Sequence, residues 1–456
     1  MARAKKEAAL TPEERLQAAL VPDWEWPYKL PGNWCWTRMQ EIAQWGSGGT
    51  PSRKVSEYYN GDISWVKTGE LNDDYIFETE EHITQEAISH SSAKIYPTDT
   101  VVIAMYGATI GKVGILGIPA ATNQACACAI VKPSTDYKYL FYYAQSQKDD
   151  FIKKGKGGAQ PNISQEIIKF HKFPLPPLAE QQRIVDRIES LFAKLDEAKE
   201  KAQAVVDSFE TRKAAILHKA FTGELTAKWR EEHGVRMDSW EKKSVGELCI
   251  SLKYGTAKKS DASGNVVVLR MGNLQQGEID WSDLAYSKDP DDIEKYKLYP
   301  GDVLFNRTNS AALVGKTAIY RGEHPAIYAG YLIKLDYDHD KIIGDYLNYA
   351  LNTLDAKKYC NSVKTDGVNQ SNINAKKIGA YSFNVSSIPE QEKIVSVIQK
   401  LLSKEQQAKE AAEAVLDQID LMKKSILACA FRGELGTNDP SEESAVELLK
   451  EIIRRG

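Results

Sequence analysis

The sequence contains an internal duplication, which constrains every fold that the chain can adopt. The segment "AEQQRIVDRIESLF" at Ala179 returns as "PEQEKIVSVIQKLL" at Pro389, and "ILHKAFTGELT" at Ile216 returns as "ILACAFRGELG" at Ile426. Both pairs are 210 residues apart, so the region between them repeats without a gap. Upstream, "IYPTDTVVIAMYGATIGKVGI" parallels "LYPGDVLFNRTNSAALVGKTAI" more loosely. The duplication predicts two copies of one unit, each a mixed α/β domain followed by a long helix.

Composition limits the class of function. With 456 residues, of which 42% are hydrophobic and 27% charged, the chain is typical of a globular protein with two or three domains. Its net charge is only −4, so nucleic acid would have to bind a local basic patch. The six cysteines form no CxxC pair and are typical of buried, reduced thiols. Because we find neither a secretory signal nor an apolar membrane span, we expect a cytoplasmic protein without a membrane partner.

Each copy ends in a stretch with the apolar spacing of a coiled coil. From Leu178 to about Phe221 the sequence has no proline or glycine, which predicts one continuous helix. Apolar residues recur in alternating steps of four and three, and Arg212 and Glu405 are the two flaws in this pattern. We expect the two helices to pair antiparallel; the alternative is that each packs on its own domain. The predicted pairing positions are Ile184, Ile188, Leu191, Leu195, Val205 and Phe209 with Ile394, Ile398, Leu401, Val415, Ile419 and Ile426.

The run Val-Gly-Lys-Thr, which ends at Thr317, resembles part of a phosphate-binding loop. Its first copy is Ile-Gly-Lys-Val and lacks the hydroxyl that would bind magnesium, and Ser310 stands where the loop requires its first glycine. Both copies keep a Gly-Lys turn between β-rich segments. We therefore expect no ATP site here, but a lysine presented at the surface of each copy.

Turn-rich segments at matching positions of the two copies are dense in side chains suited to DNA. Lys and Arg neutralise phosphates, whereas Asn, Gln and Arg form paired hydrogen bonds with base edges. The segments differ most between the copies, as contact with two different half-sites would require. The predicted DNA-binding residues of the first copy are Lys67, Thr68, Tyr106, Thr109, Lys112, Asn123, Gln124, Lys153, Lys154, Lys156, Gln160 and Asn162. Those of the second copy are Arg270, Asn273, Asn306, Arg307, Thr308, Asn309, Ser310, Lys316, Lys364, Asn369, Gln370 and Asn372.

The sequence offers no convincing catalytic or metal-binding motif. It has no G-x-G-x-x-G, no H-E-x-x-H and no Asn-Pro-Pro-Tyr or Asp-Pro-Pro-Tyr run. Three classes of function therefore remain: a DNA-recognition and scaffold subunit, an adaptor or regulator that binds other proteins through its helices and no DNA, and an ATP-using enzyme. The duplicated polar turns favour the first class.

Several motifs together resemble the specificity subunits of type I restriction–modification enzymes. They are "PNISQEIIKFHKFPLPPLAEQQRIVDRIESLFAKLDEAKEKAQ", "AFTGELTAKW", "IPEQEKIV" with "AFRGEL", "NWCW" and "GATIGKVGI" with "ATNQAC". The resemblance covers nearly the whole chain. It implies two mixed α/β target recognition domains, each recognising one half of a bipartite asymmetric DNA site. They would be joined by two long antiparallel coiled-coil helices in a repeat with pseudo-two-fold symmetry.

The resemblance also implies the partners. The helices of such a subunit set the spacing of the half-sites and dock two methyltransferase subunits, which bind S-adenosylmethionine. Further subunits use ATP and Mg²⁺ for translocation and cleavage of double-stranded DNA. The chain itself would be non-catalytic, with neither cofactor nor metal.

The predicted boundaries follow from these motifs. Short capped helices are predicted near both ends, with Thr11 and Asp439 as the N-caps. They would dock on a partner or on the chain's own domain. The segments are an N-terminal extension at 1–30, recognition domains at 31–173 and 238–385, spacer helices at 174–222 and 386–432, a linker at 223–237, and a tail at 433–456.

Overall fold

The computed structural model describes residues 11–155, 161–368 and 370–455. It forms two compact units, and the chain passes from the first to the second and back. Unit 1 comprises Met1–Lys201 and Val415–Gly456, and unit 2 comprises Ala202–Ala414. Each of the two long helices therefore contributes one end to each unit.

Unit 1 contains a mixed five-stranded sheet with the order β2-β10-β7-β8-β4 and a four-stranded sheet with the order β5-β3-β9-β6. Its strands are β1 Cys35–Arg38, β2 Ala43–Ser47, β3 Tyr59–Val66, β4 Asp74–Ile76, β5 His82–Ile83, β6 Ile95–Tyr96, β7 Val101–Ala104, β8 Val113–Leu116, β9 Ala120–Thr122, β10 Cys126–Val131 and β11 Lys172–Leu175. The helices that begin in its first segment are α1 Pro12–Ala19, α2 Met39–Ile42, α3 Gln85–Ser89, α4 Tyr137–Ser146, α5 Lys148–Lys154, α6 Gln165–Lys169 and α7 Leu178–Asp207.

The alternating cysteines and alanines of "QACACAIV" lie in strand β10. Cys126 and Cys128 face one apolar layer of the unit, whereas Ala127 and Ala129 face the other, as the period of a strand requires. All four residues are buried. The burial of both cysteines confirms that part of the prediction, and it raises the pKa of the Cys128 thiol to about 12.

Unit 2 repeats this plan with a four-stranded sheet of order β13-β22-β18-β20 and a three-stranded sheet of order β17-β14-β21. Its strands are β12 Glu241–Ser244, β13 Cys249–Tyr254, β14 Val266–Leu269, β15 Leu274–Gln275, β16 Glu278–Ile279, β17 Tyr286–Ser287, β18 Val303–Asn306, β19 Thr308–Asn309, β20 Thr317–Ile319, β21 Ala326–Tyr328, β22 Leu332–Tyr337, β23 Thr365–Asp366, β24 Ser371–Asn372 and β25 Ser382–Val385. The remaining helices of the chain are α8 Phe209–Phe221, α9 Ala227–His233, α10 Val245–Leu248, α11 Pro290–Tyr296, α12 Gly344–Leu351, α13 Leu354–Val363, α14 Ala375–Gly379, α15 Ile388–Phe431 and, back in unit 1, α16 Ala445–Arg455.

The first long helix is interrupted, which corrects the prediction of one continuous helix. It stops at Asp207, and α8 begins at Phe209. The hydroxyl of Ser208 donates to the carbonyl of Val205, and Arg212 Nη2 donates to the same carbonyl at 3.0 Å. These side chains compete for the acceptors of the last helical turn, a known cause of local helix distortion. The second long helix, α15, has no such break.

Within each unit the two long helices run antiparallel, as predicted. In unit 1, Lys423 pairs with Asp196 at 2.6 Å and lies over the ring of Phe192. In unit 2, Lys409 lies 5.0 Å from the ring centre of Phe209.

The two flaws in the apolar pattern contact each other. Arg212 Nε donates to the carboxylate of Glu405 within unit 2, so each polar residue compensates the charge of the other. A polar pair in an otherwise apolar seam fixes the register of two helices.

The outer parts of the seam merge with the domain cores. Ile184 and Ile188 are buried in the core of unit 1, and Ile394 and Ile398 in that of unit 2. Both predicted packing modes therefore occur. Val415, one of the predicted pairing positions, is 42% exposed, whereas Ile419, four residues further along α15, is buried.

The N-terminal helix α1 begins with the predicted capping box of Thr11 and Glu14. The C-terminal prediction was wrong in its start. Asp439 accepts the N–H of Ser441 in a turn, and α16 begins only at Ala445. Both terminal helices contribute to the core of unit 1.

Candidate nucleic-acid interface

The Gly-Lys turn lies at the same place in both units, between two antiparallel strands. Gly111 N–H donates to Ala104 O at 3.0 Å, and Gly315 N–H donates to Asn306 O at 2.8 Å. The two glycines have φ values of 76° and 92°, a left-handed conformation that a β-carbon disfavours. A strand, and not a helix, follows the lysine in each copy. The turn is thus a hairpin and lacks the strand-to-helix geometry of a phosphate-binding loop.

The lysines of these turns are less exposed than predicted. Lys316 Nζ donates to Gln275 Oε1 at 2.8 Å, and its side chain is partly buried. Lys112 is partly buried as well. The polar surface therefore comes mainly from the residues that precede the Gly-Lys turn.

Two strand ends define equivalent positions in the two units. Met105 follows β7 and donates its N–H to Ala125 O at 2.8 Å, whereas Arg307 follows β18 and donates its N–H to Tyr331 O at 3.0 Å. The backbone is therefore held in the same way in both units, although the side chains at this position differ in size and charge.

In unit 1 the structure brings together several of the predicted residues. Tyr106 and Asn162 pair as an antiparallel bridge, and the hydroxyl of Thr109 donates to Tyr106 O at 2.7 Å. The side chain of Tyr106 is 45% exposed and that of Asn162 is exposed. An aromatic ring beside an exposed amide is suited to a base edge.

Gln124 lies next to Ala125 and extends this surface. It is exposed, and its Oε1 accepts the hydroxyl of Thr50, a partner that sequence reasoning missed. The side chain of Asn123 stabilises the turn, because its Oδ1 accepts the N–H of Ala125 at 3.1 Å. Only the side chain of Gln124 is therefore well placed for a partner.

In unit 2 the equivalent residues form a small three-stranded sheet of order β19-β24-β23. Thr308 pairs with Asn372, whose Nδ2 donates to the Thr308 hydroxyl at 2.8 Å, and Asn309 pairs with Ser371. Gln370 is exposed at the start of β24. The structure thus brings three of the predicted residues, Thr308, Asn309 and Asn372, into one sheet, with Gln370 directly before it.

Arg307 is the cationic residue of this group. Its guanidinium lies 4.7 Å from the ring centre of Tyr254, and its Nη1 donates to Gly330 O at 3.3 Å. Sequence reasoning missed Tyr254, because the two residues are far apart in the chain and the first copy has Ser47 in place of the ring. A cation–π contact of this kind orients the guanidinium.

Other predicted basic residues are paired with carboxylates. Lys67 Nζ lies 2.8 Å from Glu80 and 3.1 Å from Glu81, and hydrogen bonds to these two groups raise the pKa of the lysine. Arg270 Nη2 lies 2.9 Å from Asp283. A phosphate would have to displace these carboxylates, so DNA contact by Lys67 and Arg270 stays a prediction.

The predicted basic residues of α5 and α13 differ in their contacts. Lys154 pairs with Asp150 at 2.7 Å and lies 3.0 Å from His171 Nδ1. Burial, with a further contribution from the charge of Lys154, lowers the pKa of His171 to about 4. Lys364 Nζ donates to the carbonyl of Ala311 at 2.9 Å. Lys153 is exposed and remains available to a partner.

Two predicted contacts are wrong because the side chains are buried. Asn273 Nδ2 donates to Asp280 O and Asp283 O, which fixes the turn after β14. Asn306 is fully buried, and its Oδ1 accepts the N–H of Thr308.

The other predicted DNA contacts stay predictions. Thr68 is partly buried and Ser310 is exposed. The predicted residues Lys156, Gln160 and Asn369 lie outside the described residues.

A buried carboxylate at the start of α15 organises unit 2 and was missed from sequence. Glu390 accepts hydrogen bonds from Thr226 Oγ1 at 2.7 Å, Arg230 Nη1 at 2.7 Å and Trp240 Nε1 at 2.8 Å. Its side chain has no exposed surface. The duplicated glutamate in "AEQQ" and "PEQE" was the signal that could have indicated it.

The equivalent Glu180 has different partners in unit 1. It accepts hydrogen bonds from Thr437 Oγ1 at 2.7 Å and Arg183 Nη2 at 2.8 Å, and Arg183 also pairs with Glu442 at 2.7 Å. Burial raises the pKa of Glu180. In each unit, this glutamate joins the start of one long helix to the segment that follows the end of the other.

Within residues 11–155, 161–368 and 370–455, no cluster of three or more His, Cys, Asp or Glu side chains is arranged to hold a metal ion. Across the same residues, we find no helix with both the length and the apolar character of a membrane span.

Comparison with known families identifies both copies. The family profile described as "Type I restriction modification DNA specificity domain" matches residues 31–206 and 237–414. The StySPI specificity subunit of Salmonella potsdam is 24% identical over 93% of this chain and 96% of its own. The EcoKI specificity subunit of Escherichia coli strain K12 is 25% identical over the same shares.

Solved structures share the fold. The chain is similar to one from a structural study of complex assembly and conformational transition in a type I R-M system, with a TM-score of 0.68 and 19% identity over 90% of this chain and 100% of that one. It is also similar to the HsdS subunit from Thermoanaerobacter tengcongensis, with a TM-score of 0.62 and 19% identity over 90% of this chain and 99% of that one.

Proposed function

This chain belongs to the family of type I restriction–modification specificity subunits, and from that premise we propose how its two polar surfaces divide the recognition of DNA. The surface of unit 1, with Tyr106, Gln124 and Asn162, contacts one half of a bipartite double-stranded site. The surface of unit 2, with Arg307, Thr308 and Asn372, contacts the other half. The site is asymmetric because the two surfaces differ.

One observation carries this proposal: equivalent backbone positions present different side chains. Met105 and Arg307 occupy the same hydrogen-bonded position, and so do Tyr106 and Thr308, which pair with Asn162 and Asn372. Base contacts determine sequence preference, whereas a shared backbone fixes where those contacts lie.

The paired helices set the distance between the half-sites and dock two methyltransferase subunits. Supporting this part, α15 exposes apolar side chains where a protein surface could cover them: Val415 at 42%, Leu421 at 66% and Met422 at 45% exposure. Val415 and Met422 lie seven residues apart and so share one face of the helix, as apolar residues that bind another protein would.

Catalysis belongs to the partners in this proposal. The methyltransferase subunits supply S-adenosylmethionine, and the restriction and translocation subunits use ATP and Mg²⁺. The present chain contributes recognition and assembly, and the complex acts on cytoplasmic DNA.

The test is a genome-wide map of adenine methylation, by long-read sequencing, in cells with and without this gene alongside its cognate methyltransferase gene. We expect a methylated motif with two specific halves and a fixed gap, which appears only when both genes are present. Omitting either gene is the control. If no gene-dependent motif appears while both proteins are detected, the recognition proposal is wrong and a role as an adaptor gains support.

A further inference from the structure

Arg307 has no carboxylate partner among the described residues, in contrast to two other basic residues of unit 2. In unit 2, Lys253 pairs with Asp336, and Arg270 pairs with Asp283. Among the described residues, no carboxylate oxygen lies within ion-pairing distance of Arg307, whose recorded contacts are with an aromatic ring and a backbone carbonyl. Its positive charge therefore has no ion-pair partner in the part of the chain that the structure describes.

The guanidinium of Arg307 is nevertheless held in place. It lies on the ring of Tyr254, and the hydroxyl of Tyr254 accepts the N–H of Ala375 at 3.0 Å, which fixes the orientation of the ring. The carbonyl of Gly330 holds Nη1 at 3.3 Å. A side chain that is ordered before binding loses less conformational entropy on binding.

The free hydrogen-bond donors of Arg307 lie at one end of the guanidinium. Nε is buried and makes no hydrogen bond, so a ligand does not reach it. Nη2 makes no hydrogen bond with any described residue, and Nη1 uses only one of its two hydrogens on Gly330. Nη1 and Nη2 thus each keep at least one free hydrogen, and a guanidinium can present two such hydrogens to two acceptors on one rigid plane.

Among the base edges of DNA, the acceptor pair that fits this arrangement is the major-groove edge of guanine, with O6 and N7. Adenine offers N7 beside a donor, and thymine and cytosine offer no such pair. Thr308 and Asn372 lie beside Arg307 and can contact the neighbouring base pairs. We propose that Arg307, positioned by Tyr254, determines a guanine in the half-site that unit 2 binds; this proposal rests on the function proposed above.

Unit 1 cannot make this contact at the equivalent position. Met105 replaces Arg307 and is buried, and Ser47 replaces Tyr254. The guanine contact is therefore specific to one half of the site, and the other half depends on Tyr106 and its neighbours.

The experiment uses the methylation map with the full chain and its methyltransferase. We expect the wild-type motif to contain a guanine, on either strand, in the half that changes with Arg307. The variant Arg307→Ala should make that position degenerate and leave the other half unchanged. Arg307→Lys should weaken the preference at that position, because lysine keeps the charge and its donors but lacks the rigid planar fork of the guanidinium. Arg321→Ala is the matched control, since Arg321 pairs with Glu278 and Asp345, and it should leave the motif unchanged.

A second measurement covers the case in which Arg307→Ala abolishes methylation. The purified wild-type complex is titrated with duplexes of its motif in which each guanine is replaced in turn by 7-deazaguanine, which lacks N7. One replacement in one half should weaken binding roughly 5- to 150-fold, the discrimination typical of a paired contact. If every replacement binds as the unmodified duplex does, the proposal is wrong.

The outcomes separate the two proposals. A wild-type chain that produces no motif contradicts the proposed function itself. A wild-type motif that Arg307→Ala leaves unchanged contradicts the guanine contact alone. If Arg307→Lys keeps the wild-type motif and no 7-deazaguanine replacement weakens binding, Arg307 contacts a phosphate and the guanine assignment is wrong.

Discussion

Units 1 and 2 share the same backbone hydrogen bonds at equivalent positions but carry different side chains there. In both, the residue after the central strand donates its N–H to a neighbouring loop, which gives Met105 and Arg307 the same place. Both also need a glycine close to a carbonyl: a β-carbon at Gly48 would overlap Thr122 O, and one at Gly255 would overlap Tyr328 O. Backbone hydrogen bonds and close packing therefore maintain the frame.

The side chains that follow β7 and β18 differ between the two units because few internal contacts constrain them. Tyr106 is 45% exposed, and the polar and aromatic contacts of the Arg307 guanidinium with the described residues are one ring and one carbonyl. Replacing such residues changes few internal contacts, so recognition can diverge between the copies at a small cost in stability. Substitutions at equivalent positions of the two units test this comparison.

The largest effect is expected at the buried glutamates. Arg230 is 10% exposed where Arg183 is 38% exposed, so removing Arg230 leaves Glu390 as a poorly compensated buried charge. We expect Arg230→Ala to lower the free energy of unfolding by about 3 kcal/mol and Arg183→Ala by less than about 1 kcal/mol. Chemical denaturation of the full chain measures both values. Equal losses would show that the two glutamates are supported equally.

The second-largest effect is expected in the pH dependence of stability. It arises from His171 in unit 1, whose equivalent in unit 2 is Tyr381. The pKa of His171 is about 4 when folded because of burial, whereas an unfolded histidine has a pKa of about 6.5. The unfolded chain therefore binds more protons between these values, and stability falls as the pH falls from 6.5 towards 4. Above 6.5 the effect is absent.

We expect the protonation of His171 in the unfolded chain to lower the free energy of unfolding by about 2 kcal/mol between pH 6.5 and pH 5. Each pH unit in this window contributes about 1.4 kcal/mol. The variant His171→Gln keeps polar contacts with Gln147 and Lys154 but does not titrate. Its melting temperature should fall less between pH 7 and pH 5 than that of the wild type. Tyr381→Phe is the control in unit 2, and it should show the wild-type pH dependence.

A smaller effect is expected at the seam, where Arg212 and Glu405 have Met422 and Leu195 as their counterparts in the other copy. The charged pair is partly exposed, so Arg212→Met alone should cost about 1 kcal/mol. The double variant, with Glu405→Leu, should recover most of that loss because no charge remains unpaired. A double-mutant cycle of denaturation free energies measures the coupling. Additive losses would mean that the pair does not stabilise the seam.

The sequence predicted features that follow from periodicity and duplication, and missed those that depend on distant contacts. The repeat predicted two units and the heptad spacing predicted antiparallel helices, because both patterns lie along the chain. The contacts of Tyr254 with Arg307 and of Glu390 with Arg230 join residues that no local pattern connects. Asn273 and Asn306 were placed in the interface because polar residues in turn-rich segments resemble binding residues until their burial is known.

Asn306 provides the smallest and most selective test of the comparison. Its counterpart is Ala104, and its buried Nδ2 has no hydrogen-bond partner, so Asn306→Ala removes an unfavourable group together with one hydrogen bond to Thr308 N–H. These terms oppose each other, and we expect stability to change by less than about 1 kcal/mol. The methylated motif should also stay unchanged, in contrast to the result for its neighbour Arg307. An altered motif would mean that the position of Thr308, which Asn306 supports, determines recognition as strongly as the exposed side chains do.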